Sequence, residues 1–146
     1  MTDKEMWKDF CRQCTNQPER YESWSFGDDP DTLAALVLEG RKTATASVLD
    51  LYELDREPLP KVGDYSVILD SSDRAVCVIR DVDVAVVPFG DVDEKHARLE
   101  GEGDLSLAYW RDVHRQCFSE WMSESGLVFS EDTKVVLEKF EVVYRP

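Results

Sequence analysis

Lys42 is followed by three hydroxyl side chains at short spacing, those of Thr43, Thr45 and Ser47. Partial removal of a lysine from water destabilises its ammonium form, so its amine can accept a proton from a nearby threonine. The deprotonated hydroxyl is then a competent nucleophile. A solvated surface lysine in front of a threonine-rich strand has the same pattern. The segment therefore indicates two alternatives, a catalytic lysine–threonine pair or an ordinary strand start.

The elements on either side of Lys42 decide where its side chain points. A helix is predicted to begin at Pro30, behind a capping Asp29, and to stop at Gly40, which supplies the left-handed conformation common just past a helix end. Residues 43–48 alternate hydroxyl and small apolar side chains, as in a strand with one polar face. On an ideal strand Lys42 and Thr45 would point to opposite faces. Cooperation between them therefore requires a bend.

An acidic loop with two glycines, residues 100–104, precedes a helix predicted to begin near Leu105. Its glycines let acidic side chains approach a ligand, and one carboxylate beside Lys42 could orient the lysine, shuttle a proton or hold a polar substrate group. The candidates are Glu100, Glu102 and Asp104. A flexible loop with Asp104 as the helix cap is the alternative. A bound divalent cation is a further alternative, although the spacing of the acidic residues does not match a calcium loop.

Two pairs of possible metal ligands are spaced three residues apart on predicted helices. They are Cys11 with Cys14 and His114 with Cys117. Four such ligands could hold zinc. Cys14 and Cys117 also lie where apolar core residues are expected, and no glycine-rich knuckle accompanies either pair, so buried thiols are the competing interpretation. We expect no resident metal and no other cofactor.

Aromatic side chains could stack on a nucleobase, because any aromatic face can do so without sequence demands. In a domain of this size most aromatic residues belong to the core. We select Trp24 and Tyr109 as candidates for a binding pocket. No phosphate loop, dinucleotide fingerprint or Ser-His-Asp order is present in the sequence.

The remaining pattern predicts an α+β domain. An amphipathic helix carries Met6, Phe10 and Cys14, and a later helix places Trp110 and Trp121 on one face. Strands are predicted at residues 65–69, 76–79, 82–87 and 135–144. Helices before and between short strands, without regular βαβ alternation, favour a barrel-like fold.

Composition limits the domain count and the partners. A chain of 146 residues that is 42% hydrophobic can close one core, so we predict a single domain. Its net charge of −14 argues against duplex DNA as a partner, because proteins that dock along a polyanion present a surplus of cations. No apolar run reaches membrane-spanning length and no signal peptide is evident, so we expect no membrane partner and a cytoplasmic protein with reduced cysteines.

Residues 40–45, taken with residues 94–97 and Glu100, resemble the ASCH family, which is related in fold to PUA domains. The resemblance extends through a longer bacterial ASCH subgroup, whose pattern is similar to residues 36–40 and to residues 100–104 continuing through Tyr109 to His114. It implies a small β-barrel with flanking helices around a cleft. It also implies a domain of residues 21–146 behind an N-terminal helical extension, residues 1–20.

One compact ASCH branch is an amidohydrolase that removes the acetyl group from the exocyclic amine of acetylated cytidine. By resemblance to it, Lys42 is the base, Thr45 the nucleophile and Glu100 the acidic partner. Ser47 departs from that branch, which has arginine at this position. An ASCH protein similar to the longer type has been proposed to bind and cut single-stranded RNA.

Three functions follow as hypotheses, and the sequence leaves the oligomeric state open. The first is an amide hydrolase acting on a modified nucleoside. The second is an RNA-binding module or ribonuclease, and the third is a non-catalytic ligand-binding domain. The RNA hypothesis needs several cations gathered in one groove: Arg41, Lys42, Lys95, Arg98 and Arg111. The catalytic set is Lys42, Thr45 and Glu100, and the predicted substrate-binding set is Trp24, Arg41, Thr43, Ser47, Glu102, Asp104 and Tyr109.

Overall fold

A computed structural model describes residues 1–16 and 18–146 as one α+β domain around a curled five-stranded sheet. The strand order is β1-β3-β4-β5-β2. The first pair in that order, β1 with β3, is parallel, and the other three pairs are antiparallel. The strands are β1 (Glu22–Trp24), β2 (Ala44–Val48), β3 (Tyr65–Leu69), β4 (Ala75–Pro88) and β5 (Lys134–Tyr144).

In residues 1–16 and 18–146, five α-helices flank the sheet, and the sequence explains where several of them begin. They are α1 (Asp3–Arg12), α2 (Pro30–Leu38), α3 (Leu49–Asp55), α4 (Glu94–Glu100) and α5 (Leu107–Glu124). A capping box joins Thr2 and Glu5 at α1, and Asp29 caps α2 ahead of Pro30 as predicted. The helices α3 and α4, of seven residues each, were not predicted from the sequence.

The start of α5 differs from the prediction. The helix begins at Leu107 rather than near Leu105, and the side chain of Ser106 caps it by accepting from the Tyr109 amide. Asp104 lies two residues before Ser106, and its carboxylate accepts a hydrogen bond from the Ser106 amide. The predicted cap residue therefore stabilises the turn before the helix and not the helix itself.

The two strands predicted at residues 76–79 and 82–87 are one strand, β4. Its pairing with β5 is irregular between Asp81 and Asp83, where the register shifts. A bulge of this kind bends a strand without ending it. In sequence, the charged residues at this position look like a break.

Among the residues that the structure describes, three groups of buried side chains hold the domain together. One lies between α5 and the end of the sheet and includes Phe89, Trp110 and Phe118. Another fills the inside of the sheet under α2 around Phe26. The third fixes α1 on β3 and β4 through Met6, which is fully buried. In the part of the chain that the structure describes, no helix is long and apolar enough to span a membrane.

Candidate functional site

Lys42 lies in the short connection between α2 and β2, and the backbone there is tightly held. Gly40 has a φ of +78°, which ends the helix as predicted. The amides of Arg41 and Lys42 then both donate to the carbonyl of Leu36, at 2.9 and 3.1 Å. The result is a sharp turn before the strand begins. This turn is the bend that the sequence required if Lys42 and Thr45 are to serve one site.

The ammonium of Lys42 points inward, and the residue is only 2% exposed. Its Nζ atom donates to three acceptors: the carbonyl of Ala44 at 2.9 Å, Oε1 of Glu100 at 3.1 Å and Oε2 of Glu102 at 3.0 Å. An ammonium has three protons, so these bonds use its whole donor capacity. Two carboxylates therefore stabilise a buried cation.

Glu100 is the centre of the arrangement. It is the last residue of α4 and is 1% exposed. Oε2 accepts from Trp110 Nε1 at 2.6 Å and contacts Nε2 of His96 at 2.7 Å, whereas Oε1 accepts from Lys42. Burial opposes the charge of this carboxyl, but Lys42 and the hydrogen bonds from His114 and His96 outweigh burial and hold its pKa well below the usual range.

Glu102 differs from Glu100 because it lies partly in contact with solvent, with 16% of its side chain exposed. Burial and the nearby charge of Glu100 raise the pKa of the Glu102 carboxyl, although the ammonium of Lys42 acts in the opposite direction. The two carboxylates that share Lys42 thus differ in proton affinity. Glu100 holds a fixed negative charge, and Glu102 takes up a proton more readily.

His114 of α5 is the fourth ionisable group. Its Nε2 lies 3.4 Å from Oε1 of Glu100, and its Nδ1 lies 2.8 Å from the carbonyl oxygen of Trp110. The imidazole stacks on the Trp110 ring, with centroids 4.1 Å apart and planes 15° apart. Burial lowers the pKa of His114, but the hydrogen bond and charge of Glu100 more than offset it, so the pKa is raised.

Gly101 holds α4 against the Lys42 turn. Its φ is +72°, and a Cβ at this position would collide with the carbonyl oxygen of Arg41. A second link is made by Thr43, whose amide donates to the carbonyl of Leu99 at 2.8 Å. Because Lys42 and Glu100 adjoin these contacts, the backbone itself brings the ion pair together.

A cavity of about 60 Å³ lies beside the ammonium of Lys42, and we call it the Lys42 cavity. Four predicted residues line it, namely Lys42, Thr45, Glu100 and Glu102. The rest of the wall comes from the segment after β1, from α2, from β2 and from α5: Phe26, Gly27, Asp28, Leu33, Ala46, Val113, His114, Cys117, Phe118 and Trp121.

The three hydroxyls after Lys42 have different surroundings. Thr43 Oγ1 donates to the carbonyl of Leu99 at 3.3 Å, and Ser47 Oγ lies 2.9 Å from the hydroxyl of Tyr52. Within residues 1–16 and 18–146, the Thr45 hydroxyl has no hydrogen bond to another protein group. Of the three, Thr45 is therefore the hydroxyl that lines the cavity and is available to a ligand.

The other predicted binding residues lie outside the lining of the Lys42 cavity. Arg41 is exposed and pairs with Glu39, and Trp24 packs edge-on against Phe26. Tyr109 is 40% exposed on the outer side of α5, and Asp104 caps a turn. Binding roles for these residues, and for Thr43 and Ser47, stay predictions.

Sequence reasoning missed several residues of the cavity wall. It considered His114 as a zinc ligand and Cys117 as a zinc ligand or a buried thiol on one helix face with Trp121, and it placed none of the three at the Lys42 cavity. Their spacing along α5, His114 to Cys117 to Trp121, is the signal that could have placed them together, because residues three or four apart share one helix face. The sequence did not show that this face of the helix packs toward Lys42.

The possible metal ligands that do converge are Glu100, Glu102 and His114, whose ligand atoms lie within 4.8 Å of one another. None of the cysteines joins them, so the described residues do not bring the predicted Cys11–Cys14 and His114–Cys117 pairs into one site. The ammonium of Lys42 already lies between the two carboxylates. A cation at this place would have to displace it.

The cations of the RNA hypothesis do not form one free group. Lys42 is buried in its ion pairs, and Arg111 donates to the carbonyls of Gly90 and Val92 at 3.1 and 3.3 Å. Arg41, Lys95 and Arg98 are exposed. Two of the five cations that were predicted to contact phosphate are thus bonded to groups within the domain.

A second acidic pair lies inside the sheet. Asp81 and Glu138 are 5% and 8% exposed, and their carboxyl groups are hydrogen-bonded to each other. Burial, together with that bond and with the charges of Asp81, Glu22 and Asp64, raises the pKa of Glu138 to about 9. Glu138 is also the cross-strand partner of Thr45. A neutral carboxyl therefore lies on the same face as that threonine.

Comparison with known proteins places the chain in a family. The family model of the ASCH domain matches residues 22–144. The crystal structure of an ASCH domain from Lactobacillus crispatus JV V101 superimposes with a TM-score of 0.92, at 31% identity over 97% of this chain and 94% of that one. A protein of Enterococcus faecalis V583 gives a TM-score of 0.84 at 35% identity, over 95% and 86% of the two chains.

A more distant structure, ASCH from Zymomonas mobilis, agrees in fold, with a TM-score of 0.50 and 12% identity over 85% of this chain and 71% of that one. Comparison with curated proteins gives no match. The predicted resemblance and the α+β fold are thereby confirmed. By sequence and by structure, this chain belongs to the ASCH domain family.

Proposed function

We propose that the protein hydrolyses the amide bond of a small acylated amine, with an acylated cytidine as the first candidate substrate. Thr45 is the nucleophile, Lys42 the base and Glu100 the group that positions the lysine. One observation carries the proposal: a buried lysine, paired with two carboxylates, lines the same small cavity as a threonine whose hydroxyl is free.

Lys42 must lose a proton before it can act as a base. At rest its ammonium is bound by Glu100 and Glu102. Glu102 is the acceptor we assign for this proton, because the pKa of its carboxyl is raised and its Oε2 lies 3.0 Å from Nζ. Glu100 keeps its charge and holds the neutral amine in place.

The reaction then proceeds through an acyl-enzyme. The Thr45 oxygen bonds to the substrate's carbonyl carbon while its proton moves to Lys42. The carbon–nitrogen bond breaks, and the amine leaves with one proton from the protein. Water next attacks the Thr45 ester and gives up a proton, and Lys42 returns its proton to the threonine oxygen. The products are a carboxylic acid and an amine.

The size of the Lys42 cavity limits the acyl group. A single water molecule needs roughly 10–15 Å³ of volume counted in this way. The 60 Å³ available is therefore enough for a short acyl chain and too little for a nucleoside. An acetyl group fits inside, with the amine portion of the substrate at the cavity mouth. We expect the rate to fall steeply as the acyl chain lengthens.

Single-stranded RNA is the alternative substrate or ligand, and a non-catalytic ligand-binding domain is the third possibility. The net charge of −14 and the internal engagement of Lys42 and Arg111 favour a small uncharged substrate over a polyanion. RNA binding through exposed Arg41, Lys95 and Arg98 would decrease with salt, since phosphate contacts release counterions.

The test compares acetylcytidine and a short labelled RNA as substrates for the wild type, Thr45→Val and Thr32→Val. Valine keeps the shape of threonine without its hydroxyl, and Thr32 is an exposed threonine outside the cavity lining. We expect acetylcytidine hydrolysis by the wild type and Thr32→Val, and a loss of at least about a hundredfold in Thr45→Val. Full activity of Thr45→Val excludes the mechanism, and RNA cleavage without deacetylation favours the alternative.

A further inference from the structure

We propose that His114 is the acid that gives the departing amine its proton. The inference rests on the proposed amide hydrolysis and deepens it. An amine anion is a very poor leaving group, so the nitrogen must be protonated as the carbon–nitrogen bond breaks. His114 lines the same cavity as Thr45 and Lys42, and 13% of its side chain is exposed.

Hydrogen-bond geometry determines which nitrogen of His114 carries a proton. Nδ1 lies 2.8 Å from the backbone carbonyl oxygen of Trp110, and a carbonyl oxygen can only accept. Nδ1 must therefore be the donor and must carry a proton. This fixes the tautomer that a neutral His114 would adopt, with an unprotonated Nε2.

An unprotonated Nε2 is unfavourable at this place. It lies 3.4 Å from Oε1 of Glu100, whose negative charge is stabilised by the Lys42 ammonium and by Trp110 Nε1. A lone pair facing a carboxylate oxygen is repelled, whereas an Nε2–H forms an ion pair with it. Both nitrogens thus favour the doubly protonated imidazolium, and the raised pKa of His114 agrees with this geometry.

The charges that face His114 support the same state. Glu100 at the end of α4 and Glu102 in the following loop are the acids around it, and Lys42 is the neighbouring cation. His96 approaches the opposite oxygen of Glu100, and Cys117 lies one turn along α5. Two ionised carboxylates balance Lys42 and a protonated His114, so the buried group has no net charge.

The imidazole is also held in one orientation. It stacks on Trp110 with centroids 4.1 Å apart and meets the edge of Phe118 at 5.4 Å and 70°. A ring fixed in this way keeps Nε2 at the cavity wall on the side of Glu100. A flexible histidine would lose entropy each time it approached the amine.

The role of His114 balances the reaction. Thr45 gives its proton to neutral Lys42 as the carbon–oxygen bond forms. The carbon–nitrogen bond then breaks with its electron pair on nitrogen, which takes the Nε2 proton of His114. Water attacks the ester and gives a proton to the now neutral His114. Finally the Thr45 oxygen leaves the acyl carbon and takes its proton back from Lys42. Both side chains return to their starting states.

The first experiment measures the charge of His114 directly. The protein has two histidines, so imidazole resonances in an NMR titration are assigned by the variants His96→Gln and His114→Gln. We expect His114 to stay protonated at both nitrogens above the pKa near 6.5 of an ordinary histidine. A neutral His114 with a proton on Nδ1 alone between pH 5 and 8 would overturn the proposal.

The second experiment separates protonation of the leaving group from other steps. An activated aryl acetate releases a phenolate that needs no proton, whereas acetylcytidine releases an amine that does. In His114→Gln we expect acetylcytidine hydrolysis to fall at least about a hundredfold, while the first-turnover release of the phenolate stays within about threefold of wild type. Thr45→Val should lose both reactions.

The outcomes separate this inference from the proposed function. Equal losses of both reactions in a folded His114→Gln variant overturn the donor role and leave the Thr45 mechanism standing. An unchanged rate of acetylcytidine hydrolysis in His114→Gln also overturns the donor role and leaves the Thr45 mechanism standing. A wild-type protein that releases neither leaving group overturns the proposed function and the donor role with it. The circular-dichroism spectrum of His114→Gln verifies its fold, and His114→Asn serves as a second substitution.

Discussion

The ammonium of Lys42 and the carboxylate of Glu100, which are 58 positions apart in the sequence, form an ion pair at 3.1 Å in which each side chain is 1% exposed. Such a pair contributes little net stability, because desolvation offsets the attraction. Removal of one partner is costly, since the other charge is left buried alone. The pair is therefore better explained as part of a site than as a device for stability.

Lys42→Met should destabilise the domain by about 3–5 kcal/mol in urea unfolding, because Glu100 and Glu102 lose their shared cation. The double variant Lys42→Met with Glu100→Gln should recover part of that loss. Lys139→Met is the control, because Lys139 is a partly exposed lysine in a 3.8 Å pair with Asp83, with 44% of its side chain exposed, and should change stability by less than about 1 kcal/mol. Equal effects at the two lysines would contradict the buried pair.

Gly101→Ala tests whether the backbone contact with Arg41 holds the site together. The left-handed conformation alone costs an alanine about 1–2 kcal/mol, and the collision with the Arg41 carbonyl adds to that cost. Gly126 is the matched control, with a φ of +77° and no atom within 4 Å of an added Cβ. We expect Gly101→Ala to lose clearly more stability than Gly126→Ala, and to lose activity as well. Similar losses would mean that the contact is unimportant.

The sequence predicted the polar side chains that line the Lys42 cavity better than it predicted the rest of the wall. Lys42, Thr45 and Glu100 follow from a local motif and a family resemblance, and Glu102 follows from its place beside Glu100. His114 was considered as a possible zinc ligand and not as part of a cavity wall, because a histidine and a cysteine three apart on a helix look the same whether they face a metal or a cavity. Only the packing of α5 against Lys42 distinguishes these roles.

Among the elements of the fold, α2, β2, β3, β5 and the first helix were predicted, and short or irregular elements were missed. The helices α3 and α4 have only seven residues each, too few for the apolar spacing of a helix to differ clearly from that of a strand. The single strand β4 was divided in two at Asp81, since a charged residue inside a strand appears as a turn until its buried partner Glu138 is known.

Glu138 predicts how stability depends on pH. Its pKa is about 9 in the folded chain against 4.5 for an ordinary glutamate, so between these values the folded state holds a proton that the unfolded state has lost. The contribution of this bound proton to the free energy of unfolding is complete below pH 4.5 and is lost as pH rises toward 9. Asp81, with a pKa raised to about 6, acts in the same direction at lower pH. For one group, the free energy of unfolding falls by at most about 1.4 kcal/mol per pH unit.

Glu138→Gln should therefore flatten the fall in unfolding free energy between pH 6 and 9 and raise stability at pH 8. Glutamine keeps the shape and can still donate to Asp81. Glu141→Gln, at an exposed position of the same strand, should leave the slope unchanged. A slope that is the same in wild type and Glu138→Gln would contradict a neutral buried Glu138.

Mass spectrometry of the protein trapped during turnover tests the central claim most directly. The wild type is mixed with acetylcytidine, quenched in acid and digested with protease. The mechanism predicts one added acetyl group that appears before free acid accumulates, is located on Thr45 and is absent from Thr45→Val. Deacetylation without any acyl-enzyme, or an acetyl group located on Lys42 instead, would contradict Thr45 as the nucleophile.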